Sequence, residues 1–291
     1  MYIILGATGR VGSAVAQTLL DQGQPVTIIT RNPKKSGEWE RKGARVAITD
    51  AHDTDGLRRV FRQGKRLFVL NPPAAPDTDT AQEEQRSVAS MLAALADADL
   101  EKIVAQSTYG AQPGNRIGDL GVLYEMEQGL ARLSVPFSVV RGAYYMSNWD
   151  MALQTARQEG KVYTFYPPDF KLPMVAPQDL GRIASQLLME PVSQTGLCYA
   201  EGPELYSSAD VAAAFAEVLG KSVEAVEISR EQWIPTLKEA GFSQAAAESM
   251  AAMTAMTLEQ KPEMPDSPIR GTTTLREYMT RLVREHQMSS S

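Results

Sequence analysis

The chain is expected to be α/β, a doubly wound parallel sheet followed by a smaller C-terminal α/β lobe. Three observations predict this. Short apolar runs alternate with amphipathic helical stretches as far as Arg141. The first run, Tyr2 to Leu5, turns into its helix through glycines at every third position, Gly6, Gly9 and Gly12. After residue 145 the alternation loosens and helical segments dominate.

The first turn carries the chemistry. A strand that bends sharply into a helix aims unpaired N–H groups and the positive end of the helix dipole at one point. A pyrophosphate fits there if no Cβ blocks its approach. Gly6 permits the turn, Gly9 lets backbone close on the phosphates, and Gly12 lets helix and strand pack together. Thr8, Arg10 and Val11 complete the loop. The periodic positions Val11, Val15, Leu19 and Leu20 predict a helix over 11–22, ended by Gly23.

Residues 25–30 are β-branched and predict the second strand. An Asp or Glu about 20 residues past the glycines marks the NAD form of this motif. Here Arg31 stands in that place, with Lys34 and Lys35 close behind. A guanidinium binds a 2′-phosphate bidentately, so NADP(H) is expected in preference to NAD(H). The alternative is a solvated Arg at a helix start.

Residues 45–48 predict the third strand. Asp50 at its end either accepts from an adenine amino group or, like Asp53, caps the helix over 54–61. The fourth strand, 66–70, ends at Asn71 and Pro72, which cannot continue a ladder and line the expected cofactor edge. A long helix over 77–96 follows, then a fifth strand over 102–106 with Ser107 at the edge where ligands bind. A helix over 122–133 and a sixth strand over 137–141 lead to Gly142 and then to Ala143 and Tyr144, which are expected to contact the cofactor. Tyr145, Trp149, Phe165 and Tyr166 gather beyond it and suit a flat apolar substrate or an interlobe core.

The NADP(H)-binding domain is drawn over 1–145, the substrate lobe over 146–287 and a polar tail over 288–291, with segments between 174 and 200 free to return to the sheet. In the lobe, helices are expected over 146–159, from Asp179 as cap to Met189, and over 208–219, 230–240, 244–256 and 275–284. Extended runs are expected over 161–166, 196–200 and 223–228. Met250, Met253 and Met256 recur at helical spacing, a pattern commoner in a core than in a ligand wall.

A chain of 291 residues, 43% hydrophobic, has material for a substantial core. The net charge of −6 without a basic run argues against nucleic acid and anionic membranes as partners. No apolar stretch spans a bilayer and no secretory signal precedes the first strand, so a cytoplasmic location is expected. One cysteine, Cys198, excludes an internal disulfide, and two distant histidines leave no expected metal site.

The run from Gly6 to Gly12, Arg31-Asn32-Pro33, the segment from Phe137 to Asn148, and Gly202-Pro203 resemble the NmrA-like atypical short-chain dehydrogenase/reductase family. The resemblance implies a Rossmann fold with NADP(H), and an activity among quinone, azo-dye and triphenylmethane-dye reductases or dinucleotide-sensing regulators. Ketone-reducing relatives carry a Tyr-x-x-x-Lys pair, whose matching positions are Tyr124 and Gln128. Gln128 has no charge with which to lower a phenol pKa from about 10 to about 7, a shift of roughly 4 kcal/mol. Tyr124 is therefore a weak candidate acid, and Gln128 a candidate ribose contact. The expected function is NADPH-dependent hydride transfer to a conjugated acceptor such as a quinone or azo compound. The alternative is a non-catalytic NADP(H) sensor that binds a protein partner.

Overall fold

A computed structural model describes residues 1–260 and 264–289. The first half runs β1 (Tyr2–Ile4), α1 (Arg10–Asp21), β2 (Val26–Thr30), α2 (Ser36–Arg41), β3 (Arg45–Ile48), α3 (Thr54–Phe61), β4 (Arg66–Val69), α4 (Thr80–Leu95), β5 (Lys102–Thr108), α5 (Asp119–Leu130) and β6 (Phe137–Gly142). The second half runs β7 (Tyr144–Tyr145), α6 (Ala152–Gln158), β8 (Lys161–Thr164), β9 (Leu172–Val175), α7 (Pro177–Met189), β10 (Gly196–Glu201), β11 (Leu205–Tyr206), α8 (Ser208–Leu219), β12 (Glu224–Glu227), α9 (Trp233–Glu239), α10 (Gln244–Glu259), β13 (Ile269–Arg270) and α11 (Leu275–Ser289).

Among these residues eight strands form one all-parallel sheet in the order β13-β10-β6-β5-β4-β1-β2-β3. The order reverses between β1 and β4, and ligands of such sheets bind outside the carboxyl ends at that switch point. Side chains alternate across each strand and so feed two cores. Ile4, Phe68 and Val104 meet α1, α2 and α7 on one face, through Val15, Leu19, Trp39 and Leu180. Ile3, Leu67 and Ile103 meet α3, α4 and α5 on the other, through Phe61, Met91 and Met126. A third core lies under the lobe, where α6, α8 and α11 close on β8 and β9 through Leu153, Phe215, Met279 and Val162.

Most sequence-expected elements form, with ends shifted by a few residues. Four differences matter. Strand β5 is longer than expected and takes in Ser107 and Thr108. The helix expected over 146–159 is broken into a 3₁₀ turn at Met146–Trp149 and α6. Asp179 does not cap α7. It lies in the first turn, is 1% exposed, and accepts from the Thr273 amide at 2.8 Å and its hydroxyl at 3.0 Å. That anchors the chain just after β13. The expected tail is helical through Ser289, while Ser290 and Ser291 lie outside the described residues. The big sheet draws strands from both sides of residue 146, since β10 pairs with β6 and β13 with β10. No helix among the described residues is long and apolar enough to cross a membrane.

The loop between β1 and α1 is built on contact between its own glycines. Gly6 has φ +79°, a left-handed value that favours glycine. A Cβ at Gly12 would overlap the Gly6 carbonyl group and the Ala7 nitrogen, all backbone atoms that cannot swing away. Gly12→Ala should therefore destabilise the fold by about 1–3 kcal/mol, the usual cost of overpacking, read as a lower urea midpoint at unchanged slope.

Candidate active site

Two cavities lie at the carboxyl edge of the sheet. The first, about 550 Å³, is a cleft over the ends of β1 to β4, lined by Gly6, Thr8, Gly9, Arg31, Asp50 and Pro72 among others. Helix α1 begins there without a side-chain cap, because its N-cap residue is Gly9. The first N–H groups of a helix have no intrahelical partner, so they are left for whatever occupies the cleft. Gly9 is extended (φ −90°, ψ 176°), and a Cβ on it would stand 3.4 Å from the Gly6 oxygen, an ordinary contact. The fold itself does not require glycine at this position. This donor set and glycine cradle fit a dinucleotide pyrophosphate.

The remaining expected cofactor residues divide. Arg31 is exposed on the cleft, and its charge is one of several influences lowering the Asp50 pKa. The largest of these is the His52 amide, which donates to Asp50 at 2.9 Å. The capping role falls to Asp53, which accepts from the Gly56 amide at 2.9 Å at the start of α3. Val11 and Gly12 are buried and serve packing. Arg10 turns away to an ion pair with Asp150, whose other oxygen accepts from Tyr278 at 2.8 Å. The Asn71 side chain also points inward, accepting from Ser87 at 2.6 Å.

The second cavity, about 220 Å³, lies past the ends of β5 and β6. Tyr145 and Tyr166, expected at a substrate pocket, line it, together with Ala143 and Tyr144, expected at the cofactor. Tyr166 stands edge-on to Tyr144 at 6.0 Å between ring centroids. Trp149 and Phe165 do not line it. Trp149 is buried in the lobe core, and Phe165 packs on Trp233 at 5.7 Å. Met253 and Met256 form part of the wall, so two residues of the α10 methionine stripe face a cavity. Helix α10 is held over the cavity from several sides. Ser243 donates to the Thr78 carbonyl at 2.6 Å, Ser249 accepts from the Gly118 amide at 3.0 Å, and Gln260 accepts from Gln112 at 2.8 Å.

Helix α5 presents Asp119, Leu120 and Leu123 to this cavity. Tyr124 is one residue further round, about 100° away, and lines neither cavity; Gln128 is exposed. The expected Tyr124–Gln128 pair is thus not at the site. The rotation is fixed by Glu127, which takes Arg141 through two hydrogen bonds, at 3.0 and 2.8 Å, with both side chains about nine-tenths buried. Ser107, fully buried, donates its hydroxyl to the same carboxylate. Ser107 therefore belongs to this clasp and not to the ligand edge, where its neighbour Thr108 stands instead. Sequence reasoning also missed Tyr109, whose hydroxyl donates to buried Glu201 at 2.9 Å, and Asp119.

A doubly wound parallel sheet, an uncapped glycine cradle at its switch point and a pocket roofed by C-terminal segments define a Rossmann-like α/β protein. The chain belongs to the NmrA-like family, which it matches over residues 2–279. It is 25% identical over 280 residues to an NAD(P)H azoreductase of Xenophilus azovorans, covering 93% of this chain and 94% of that one. Its fold is similar to that of a triphenylmethane reductase of Citrobacter sp. complexed with NADP(H), with a TM-score of 0.81, 20% identity and coverage of 97% and 99% of the two chains. The structure of NmrA, a negative transcriptional regulator in complex with NAD, is similar too, with a TM-score of 0.75, 15% identity and coverage of 100% and 98%.

Because the glycine at position 9 leaves room that the fold does not use, Gly9→Val should keep the thermal midpoint of the parent. It should weaken NADPH binding by at least about tenfold, or ~1.4 kcal/mol, in calorimetry. Unchanged affinity would show that the cleft is not closed by backbone at this point.

Proposed function

We propose that this protein is an NADPH-dependent reductase that passes hydride to a conjugated, electron-poor acceptor such as a quinone or azo compound. The observation that carries the reading is the second cavity, an aromatic and thioether slot beside the dinucleotide cleft. Tyr144, Tyr145, Tyr166, Met253 and Met256 offer ring faces, ring edges and polarisable sulfur, which suit a flat π-system. The azoreductase and triphenylmethane reductase likenesses support the same class of acceptor.

The residues divide the work. The α1 amides and Gly9 hold the pyrophosphate, Arg31 the 2′-phosphate, and Ala143 and Tyr144 line the second cavity at the end of β6. When bound, the dinucleotide supplies the hydride. The protein's part is to fix the acceptor in the slot and keep bulk water from it, a gain of orientation. The regulator likeness supports a second reading, a non-catalytic sensor of NADP(H) with a protein partner.

Charge-assisted hydrogen bonds to phosphate contribute roughly 1.5–3 kcal/mol each, about 10- to 150-fold in affinity. The parent should therefore favour NADPH over NADH by a factor in that range, and Arg31→Asp should erase most of it; titration of both cofactors against both proteins reads this out. NADPH absorbance followed with a panel of acceptors should show oxidation by quinones or azo compounds and little by simple ketones. Tyr124→Phe should leave that turnover nearly unchanged, far from the 10²- to 10⁴-fold loss expected of a positioned acid, because its side chain lines neither cavity. NADPH binding with no turnover of any acceptor would select the sensor.

A further inference from the structure

The wall of the second cavity is one-sided in charge. Among the described residues that line it, Asp119 is the only carboxyl group, and no Lys, Arg or His joins it. Tyr109, Tyr144, Tyr145 and Tyr166 share the wall, and the remaining polar side chains are hydroxyls and amides. Burial pushes the phenols of Tyr144, Tyr145 and Tyr166 above their ordinary value, so the rings stay neutral. The Tyr109 hydroxyl is committed to Glu201.

Asp119 has no counter-ion among the described residues. It stands exposed in the first turn of α5, where the helix dipole favours its charged form. Arg116, three residues before it, is turned to Asp79 at 2.8 Å. Arg141 is held by Glu127 at 2.8 Å, and Arg270 by Glu201 at 3.0 Å. Glu84 of α4 offers only a second carboxyl group, raised to about 7 by burial first and then by the charge of Asp119. Protein around Asp119 desolvates it and pushes its own pKa up, a cost that a bound cation would offset. Aromatic rings attract a cation through their faces, and an unpaired carboxylate beside them adds an ion pair.

We propose that Asp119 makes this pocket selective for a delocalised cationic acceptor, such as an aromatic iminium or pyridinium-type ring, over neutral or anionic acceptors of the same outline. The proposal rests on the reductase reading above and narrows it. A cationic acceptor takes up one hydrogen with two electrons. The C–H bond of the dihydronicotinamide breaks, a C–H bond forms at the electron-poor carbon of the acceptor, and the positive charge there is cancelled. The acceptor is reduced to a neutral product and the dinucleotide is left oxidised. No proton is consumed.

That balance suits the side chains present. A quinone or azo acceptor needs a proton as well as hydride, and the buried phenols of this pocket are weakened acids. A cation needs none. It is drawn in by Asp119 and the rings while charged, and loses that attraction once reduced, which favours release of the product.

Three tricyclic probes test this in the full chain: N-methylacridinium as the cation, acridine in its neutral form, and an anthraquinone sulfonate as the anion. Titrated without dinucleotide, the parent should bind the cation at least about tenfold more tightly than acridine, and the sulfonate most weakly. Asp119→Asn should level the cation with acridine while leaving the Kd for NADPH unchanged, and Asp119→Lys should favour the sulfonate. With NADPH present, kcat/KM should follow the same ranking once the uncatalysed reduction is subtracted. A merely structural role for Asp119 would shift all three affinities together, so their ratio isolates the charge. Equal binding of cation and acridine by the parent, or a cation preference that survives Asp119→Asn, would overturn the proposal and leave the reductase reading standing. NADPH binding with no oxidation by any acceptor, quinones included, would overturn the reductase reading and the proposal with it.

Discussion

The buried ion pair between Arg141 and Glu127 sets what the rest of the site can be. It ties the last turn of α5 to β6, and Ser107 of β5 completes it, so the helix cannot rotate about its axis without leaving a charge unpaired in the interior. That fixed rotation points Asp119, Leu120 and Leu123 into the pocket and turns Gln128 to solvent. Removing one partner of such a pair commonly costs about 3–5 kcal/mol, which is enough to hold one orientation against its alternatives.

Around that fixed helix the molecule divides labour along one sheet edge. The left half, over β1 to β4, joins glycines and free helix amides to the exposed Arg31 guanidinium, with Asp50, His52 and Glu83 on its wall. The right half, over β5 and β6, is side-chain chemistry, with aromatic rings, two methionines and the Asp119 carboxylate. Few side chains are needed where phosphates bind, because oriented N–H groups do the holding. Methionine in the roof is consistent with a site that adapts its surface to acceptors of different outline, since its side chain is flexible and polarisable.

The sheet was largely legible because short apolar runs rich in β-branched residues, such as 26–30 and 102–106, are cut off by turn residues and are too short for a buried helix. The glycine loop was legible for the same reason that it works, since only glycine satisfies Gly6 and Gly12. The α5 register was not. Residues four apart share a face, so Tyr124 with Gln128 and Leu123 with Glu127 are equivalent by spacing, and only the tertiary pairing with Arg141 chooses between them. The same limit hid Asp119, which α5 brings to the second cavity. It also hid β13, whose two residues carry too little pattern to be read as a strand. Met253 could be read as core or wall, and nothing in a helical stripe distinguishes a surface that meets protein from one that meets a cavity.

The return of β10 and β13 to the sheet bears on how the chain matures. Strand β6 has β5 on one side from the outset, but its other edge stays bare until β10 arrives, and β10 in turn waits for residues 269–270. An emerging polypeptide that has reached Tyr145 therefore already holds every strand under the first cleft, yet exposes an apolar strand with unpaired amides along its length. Such an edge invites pairing with a neighbouring chain, and pairings distant in sequence form late. A fragment cut at that residue would be a poor minimal cofactor-binding unit, prone to self-association, and the C-terminal lobe is as much a shield for the sheet as a roof for the pocket.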